Sequence, residues 1–271
     1  MNESDESVVP DPGPGHLTPA ALYRRSIDLG EVMPDAAQAA VIDLLDQLFE
    51  RAMKRQTPSS GLVKDVLGKW FGLSSSAVAG SVRGLYIWGG VGRGKTMMMD
   101  MFCSALPAER RQRMHFHRFM RRVHDALGRH SGQANPLLKV ADEIAAGGDI
   151  LCFDEFFVSD IGDAMILGEV MTALFQRGVS LIATSNVEPV NLYKNGLQRS
   201  RFLPAIDQIY AYCDVHEIDP GQDFRLRTLQ QAKLYHHPLG DKAQQSLLAG
   251  FSALAAELEK DNVKLRIENR M

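Results

Sequence analysis

Eight consecutive residues, Gly89-Gly90-Val91-Gly92-Arg93-Gly94-Lys95-Thr96, satisfy the pattern G-x-x-x-x-G-K-[ST] in full. Glycines open backbone conformations closed to other residues, so several N–H groups can converge on one polyphosphate. A helix opening at Gly94 adds the positive end of its dipole at the same point. In such a loop Lys95 reaches the β- and γ-phosphates, and the Thr96 hydroxyl serves Mg²⁺. Gly89, Gly90, Val91, Gly92, Arg93, Gly94, Lys95, Thr96 and Met97 are therefore the candidate nucleotide contacts. A chance GKT in a glycine-rich turn would lack the strand before it and the apolar helix after it. A second cluster is Asp154-Glu155, at the end of the apolar run Ile150-Leu151-Cys152-Phe153. There Asp154 would hold Mg²⁺ through water and Glu155 would orient and deprotonate an attacking water, since phosphoryl transfer asks mostly for positioning and charge neutralisation. Thr184-Ser185-Asn186 ends another apolar run, and Asn186 could bond both the γ-phosphate and that water. The alternatives are an exposed acidic strand end for the carboxylates and a simple turn residue for Asn186.

The elements that must carry these residues can be read from the same stretches. Gly84 to Trp88 is a short buried strand, and Met97 to Cys103 begins the apolar helix behind the loop. Four apolar residues in a row before Asp154 indicate a strand buried on both faces, hence a parallel sheet. Asp160 caps a helix, with Asp163 three residues on as a capping-box analogue, and the helix runs to Gly178. Val179 to Ala183 and Ala211 to His216 read as further strands, and Arg113 to His117 as another, followed by a helix from Arg118 to about Arg129. Pro136 to Ala146 reads as a helix, and Pro189 opens a helical segment to Asn195-Gly196, followed by Leu197 to Ile206. Strands alternating with helices, and acidic or polar residues at strand ends, predict an α/β fold with a parallel sheet flanked by helices.

Ahead of this core, residues 1–17 are acidic and Pro/Gly-rich and predict a disordered tail. Residues 18–80 predict a helical arm and linker. Thr18-Pro19 starts one helix, a second runs from Asp35 to about Gln56, and Leu62 to Phe71 is a shorter amphipathic piece. Leu73 to Gly80 reads as a linker, Gln244 to Glu259 as an amphipathic helix and Val263 to Ile267 as a strand. The net charge of −3 implies no global pull toward nucleic acid. Between Arg110 and His130, however, seven arginines and four histidines face only Asp125 and the preceding Glu109. That stretch reads equally as a nucleic-acid or partner surface and as a solvated helix face. His115 and His117 would share a strand face, but no carboxylate or cysteine accompanies them at zinc-ligand spacing. Three scattered cysteines, no membrane-length apolar run and no signal or transit pattern point to the cytoplasm.

Taken together, GLYIWGGVGRGKT, HFHRFM with His124, LCFDEFFVSDIGDAM, ATSN, LYKNGLQRSRFLPAI and DFRLRTL resemble the ZapE / Afg-type family of AAA+ ATPases, from about Thr18 to Leu229. The resemblance implies a P-loop fold of AAA+ type over residues 81–271, ATP rather than GTP, Mg²⁺, and hydrolysis. It places Asn186 in the sensor role and makes Arg199 of GLQR the finger acting on a neighbour's nucleotide, with Arg201 second. It further implies nucleotide-dependent oligomers, a protein client that in bacteria is the tubulin-like FtsZ ring, recruitment to the division site and, in mitochondrial relatives, peripheral membrane contact. The family's chain continues beyond the point where this one stops, so its C-terminal part, with any second sensor arginine, is expected to be absent here. A DNA-associated ATPase of helicase-loader type and a nucleotide-binding module with little turnover are the competing readings.

Overall fold

Short apolar runs bounded by turn residues become the three inner strands of one sheet, because a strand covered on both faces carries no polar alternation, while the polar runs Arg111–His115 and Cys213–Glu217 form its edges. The computed structural model describes residues 17–55, 82–218 and 244–245. Within them β1 (Gly84–Trp88), β2 (Arg111–His115), β3 (Ile150–Asp154), β4 (Ser180–Ser185) and β5 (Cys213–Glu217) pair in parallel, in the order β2-β3-β4-β1-β5. Successive side chains of a strand point to opposite faces, and the core divides accordingly. Leu85, Ile87, Ile150, Cys152 and Ile182 share one apolar cluster with α1 (Pro19–Asp28), α2 (Ala36–Lys54) and α3 (Lys95–Ala105). Tyr86, Leu151, Phe153, Leu181 and Ala183 face the other way. They pack against α4 (Phe116–Arg129), α5 (Pro136–Ala145), α6 (Ile161–Gln176) and α7 (Leu203–Tyr212). β1 can lie this close to β4 because of Gly84, where a Cβ would sit 1.9 Å from the Leu181 carbonyl oxygen.

The first two helices start where the caps predict. The Thr18 hydroxyl accepts from the Ala21 N–H at 3.3 Å, and the Asp35 carboxylate from that of Gln38 at 2.9 Å. The α2 stripe of Val41, Leu45, Leu48 and Ala52 is buried against the sheet and α3. The chain divides into two compact units, Met1–Pro220 and Gly221–Met271, and both helices belong to the unit that holds the sheet. Arg110 fastens the end of α2 to the sheet's N-terminal edge. Its Nε and Nη2 donate to Asp149 at 3.1 and 2.5 Å, and its Nη1 donates to the Ala52 carbonyl at 2.7 Å.

Several boundaries differ from the sequence reading. β2 runs from Arg111 to His115, so His117 sits on α4 and does not share a strand face with His115, although the two rings stack 5.7 Å apart. The helix starts early because Phe116 enters the aromatic core, 5.7 Å from Phe153 and 4.5 Å from Phe156 between ring centroids. β5 begins at Cys213, since Tyr212 completes α7 by stacking on Phe175 at 4.3 Å. Pro189 opens only a 3-10 turn, Pro189–Asn191. Tyr193 and Asn195 then take positive φ of 51° and 115°, which a helix cannot continue through. The Asp163 carboxylate bonds His124 Nε2 at 2.8 Å instead of completing a capping box. The expected tail, the 62–71 helix, the 73–80 linker and the 263–267 strand lie outside the described residues, as does the 244–259 helix except for Gln244 and Gln245, which are helical.

Candidate active site

Parallel pairing levels the strand ends. Trp88 lies beside Ser185, His115 beside Asp154 and Phe153 beside Ala183, so β1, β3 and β4 open onto one C-terminal edge, where open α/β sheets place their ligands. β1 delivers the chain there into the glycine loop. Gly92 and Gly94 have φ of 73° and 79°, which a side chain would resist, and a Cβ at Gly94 would lie 2.9 Å from Gln38 Nε2. Gly94 caps α3 without a side-chain acceptor, and the positive end of the helix dipole opens beside the loop. Lys95 Nζ donates to the carbonyls of Gly89 and Gly90 at 2.8 and 2.6 Å, folding the ammonium over the loop. Arg93 is buried, and its carbonyl accepts from Gln38 Nε2 at 3.3 Å, so α2 braces the loop from behind. Gly90, Val91, Thr96 and Met97 complete the sequence-predicted set, with Val91 and Thr96 exposed.

The two carboxylates differ sharply. Asp154 is 4% exposed; Arg113 Nε donates to its Oδ2 at 2.9 Å, while its Oδ1 is buried without a hydrogen-bond partner among the described residues. Asp100 of α3 pairs with the same guanidinium. Burial opposes the arginine's charge, but the bonds to Asp154 and Asp100 outweigh it and hold the Arg113 pKa above its usual value. Glu155 is exposed and takes φ of 53°, a left-handed backbone that costs a non-glycine residue on the order of 1 kcal/mol. A lattice of bonds to the end of β4 holds it there. The Glu155 N–H donates to Thr184 Oγ1 at 3.3 Å, the Phe156 N–H to the Thr184 carbonyl at 2.7 Å, and Ser185 Oγ to the Phe156 carbonyl at 2.7 Å. Ser185 Oγ also accepts from the Val187 N–H at 3.1 Å, and Tyr86 Oη donates to the Val187 carbonyl at 2.8 Å. Burial pushes the Tyr86 phenol up, so it stays a donor. Asn186, exposed directly after β4, is thus registered against Glu155 by its neighbours on both sides.

The orphaned Asp154 oxygen and the Thr96 hydroxyl are hard oxygen donors, a set that fits Mg²⁺ bound through one carboxylate plus substrate phosphates. The glycine loop, Lys95, Thr96, Asp154, Glu155 and Asn186 therefore meet at one sheet edge. Arg199 does not sit on a strand end. It lies in the 3-10 turn Arg199–Arg201 before α7, where Nη2 donates to the Val190 carbonyl at 2.6 Å and Nε is buried without a partner among the described residues. Arg201 is exposed.

Sequence reasoning missed Arg113, Asp100, Thr184, Ser185 and Tyr86 as supports of the edge. It also treated the Arg110–His130 stretch as one charged surface. Much of that charge is engaged within the fold: Arg110 with Asp149, Arg113 with Asp100 and Asp154, Arg122 with Gln112, His124 with Asp163, and Arg129 and His130 with Glu143. Arg118 and Arg121 stay exposed on α4. The sequence placed Arg113 in a strand, and only the pairing of that strand brings it beside the one that ends in Asp154.

A family model described as AFG1-like ATPase matches residues 17–271. The cell division protein ZapE of Escherichia coli strain K12 is 48% identical over 257 residues, covering 94% of this chain and 68% of that one. Lactation elevated protein 1 homolog B of Danio rerio is 41% identical over 199 residues, covering 69% of this chain and 39% of the relative. Among solved structures, DnaI aligns over 72% of this chain and 88% of its own with 16% identity and a TM-score of 0.45, too loose a likeness to bear on function. The family match takes in all five strands and both carboxylates, and on it the chain belongs to the AFG1-like ATPase family.

Proposed function

We propose that this chain couples Mg²⁺-dependent ATP hydrolysis to work on a protein client, in assemblies whose neighbouring subunits complete each other's sites. The observation that carries the reading is the buried Asp154 oxygen, unpartnered among the described residues, at the same sheet edge as the phosphate loop. A buried acceptor left unpaired is costly, and a cation that also touches the phosphates would relieve it. Gly89 to Met97 hold the phosphates, with Lys95 on the β- and γ-phosphates. Thr96 and Asp154 hold Mg²⁺, which when bound neutralises charge on the transferring phosphoryl group. Glu155 orients and deprotonates the attacking water, Asn186 bonds that water and the γ-phosphate, and Arg199 reaches the nucleotide of the next subunit. Turnover of ATP by the full chain should require Mg²⁺ and vanish with EDTA, and Lys95→Ala should abolish equilibrium ATP binding. Metal-independent hydrolysis, or wild-type binding by Lys95→Ala, would overturn the site.

The client is proposed as FtsZ polymers, with action in the cytoplasm at the division site. The support is the 48% identity to a relative named as a cell division protein, together with the motif resemblance. No described helix is long and apolar enough to cross a membrane; the peripheral membrane contact proposed here rests on the motif resemblance. Co-sedimentation with FtsZ polymers should rise with Mg²⁺ and ATP and fall with ADP, because only differential affinity between states can drive remodelling. Equal sedimentation in all nucleotide states, or none, removes FtsZ as the client. The DNA-associated reading loses Arg110 and Arg113, which pair with carboxylates of the fold, and keeps the exposed Arg118 and Arg121.

A further inference from the structure

We propose that Arg113 is a positioning residue that clamps the two halves of the cation site together, a role that rests on the Mg²⁺ reading above. Three elements meet at its guanidinium. Arg113 stands on β2 level with Cys152 of β3, and Asp154 lies two residues beyond Cys152 on the same strand face. That face carries α3, whose residues pack on Ile150 and Cys152. On α3, Asp100 follows Thr96 by four residues, so the two are neighbours on one side of the helix. The arginine donates from Nε to Asp154 Oδ2 at 2.9 Å and from Nη1 to Asp100 Oδ1. Each proposed Mg²⁺ donor, Thr96 and Asp154, is therefore tied to the same planar group, one through its helix and one directly.

The chemistry of the fork matters. A guanidinium presents five N–H donors in fixed directions and can hold two carboxylates at once, whereas an ammonium is a point charge on a flexible stem. With Oδ2 of Asp154 taken by Nε, the carboxylate cannot turn, and the oxygen left over is the buried Oδ1, unpartnered among the described residues. The charge also balances usefully. Asp100, Asp154 and Arg113 sum to one negative charge, which leaves attraction for a cation while removing the repulsion between the carboxylates. Groups that orient a metal's ligands in this way are worth about 10- to 100-fold in metal affinity.

The test is equilibrium binding of ADP to the full chain, titrated with Mg²⁺ and repeated in EDTA. Arg113→Gln and Asp100→Asn should bind ADP in EDTA as the parent does, and should need about tenfold more Mg²⁺ or greater to reach the tightened state. Asp100 is half exposed, so its substitution probes the clamp without opening the core. Arg113→Lys keeps the charge but not the fork, and should behave like Arg113→Gln. An unchanged Mg²⁺ midpoint in Arg113→Gln and Asp100→Asn overturns the clamp alone. Equal weakening with Mg²⁺ and with EDTA also overturns it, since that pattern belongs to a strut and not to a cation site. A parent chain whose ADP affinity ignores Mg²⁺ overturns the cation reading and the clamp with it.

Discussion

Glu155→Gln should bind ATP as the parent does and lose turnover by about 10²-fold or more, the scale of removing a group that accepts a proton from the attacking water. The substitution keeps the length and shape of the side chain, and glutamine can hold the same backbone. The bonds that fix residue 155 are made by its own N–H and by Phe156, Thr184 and Ser185, none of which is altered. The phosphate loop and Asp154 also stay in place, so binding and hydrolysis should separate cleanly. Single-turnover hydrolysis beside equilibrium ATP binding measures both. Hydrolysis at the parent's rate would move the general base elsewhere on the edge.

Arg199→Ala should reduce turnover by about 10³-fold while leaving ATP binding to the subunit's own loop intact, since a finger arginine acts on transition-state charge. The geometry fits such a group. One nitrogen is anchored on the Val190 carbonyl, and Nε is a buried charged donor with no partner among the described residues. A charged donor left in that condition is expensive unless an acceptor arrives. Mixing Arg199→Ala with Lys95→Ala subunits should recover part of the activity, because one supplies an intact loop and the other an intact arginine. Normal turnover by Arg199→Ala, with no gain on mixing, would make the residue a strut for the turn before α7, and Arg201→Ala would then be the variant to measure.

What was legible in the sequence was whatever the local chain encodes. The glycine loop declares itself because positive φ at Gly92 and Gly94 needs glycine, and the helix behind it must start at once. Asp154 and Asn186 were placed at the sheet edge because they follow apolar runs that are buried strands. The Arg113 clamp was not legible, since its carboxylates lie 13 and 41 residues away and only strand pairing brings them together. The β2 boundary slipped because periodicity marks a strand's faces but not the residue at which an aromatic core draws the chain into a helix. The depth to which the arm is built into the core was not legible either. Its first two helices bury Tyr23, Val41, Leu45 and Leu48 in the core shared with β1 and α3. Shortening the chain to begin near Leu73 would strip that core.

The sheet order also has a consequence for how the chain is made. β1 leaves the ribosome first among the strands, yet its partners are β4 and β5, whose residues begin at 180 and 213. Until those emerge, Leu85, Tyr86 and Ile87, each at most 2% exposed in the finished fold, have no neighbouring strand on either side. At about 5–20 residues per second, that interval lasts several seconds to tens of seconds. Parallel pairs so distant in sequence form slowly, and an unpaired apolar strand is a template for association with other chains. The α2 and α3 helices, completed much sooner, can cover one face of β1 in the meantime. The N-terminal helices thus act as a provisional shelter during synthesis, and substitutions that weaken their apolar stripe should lower the yield of soluble chain before they alter its chemistry.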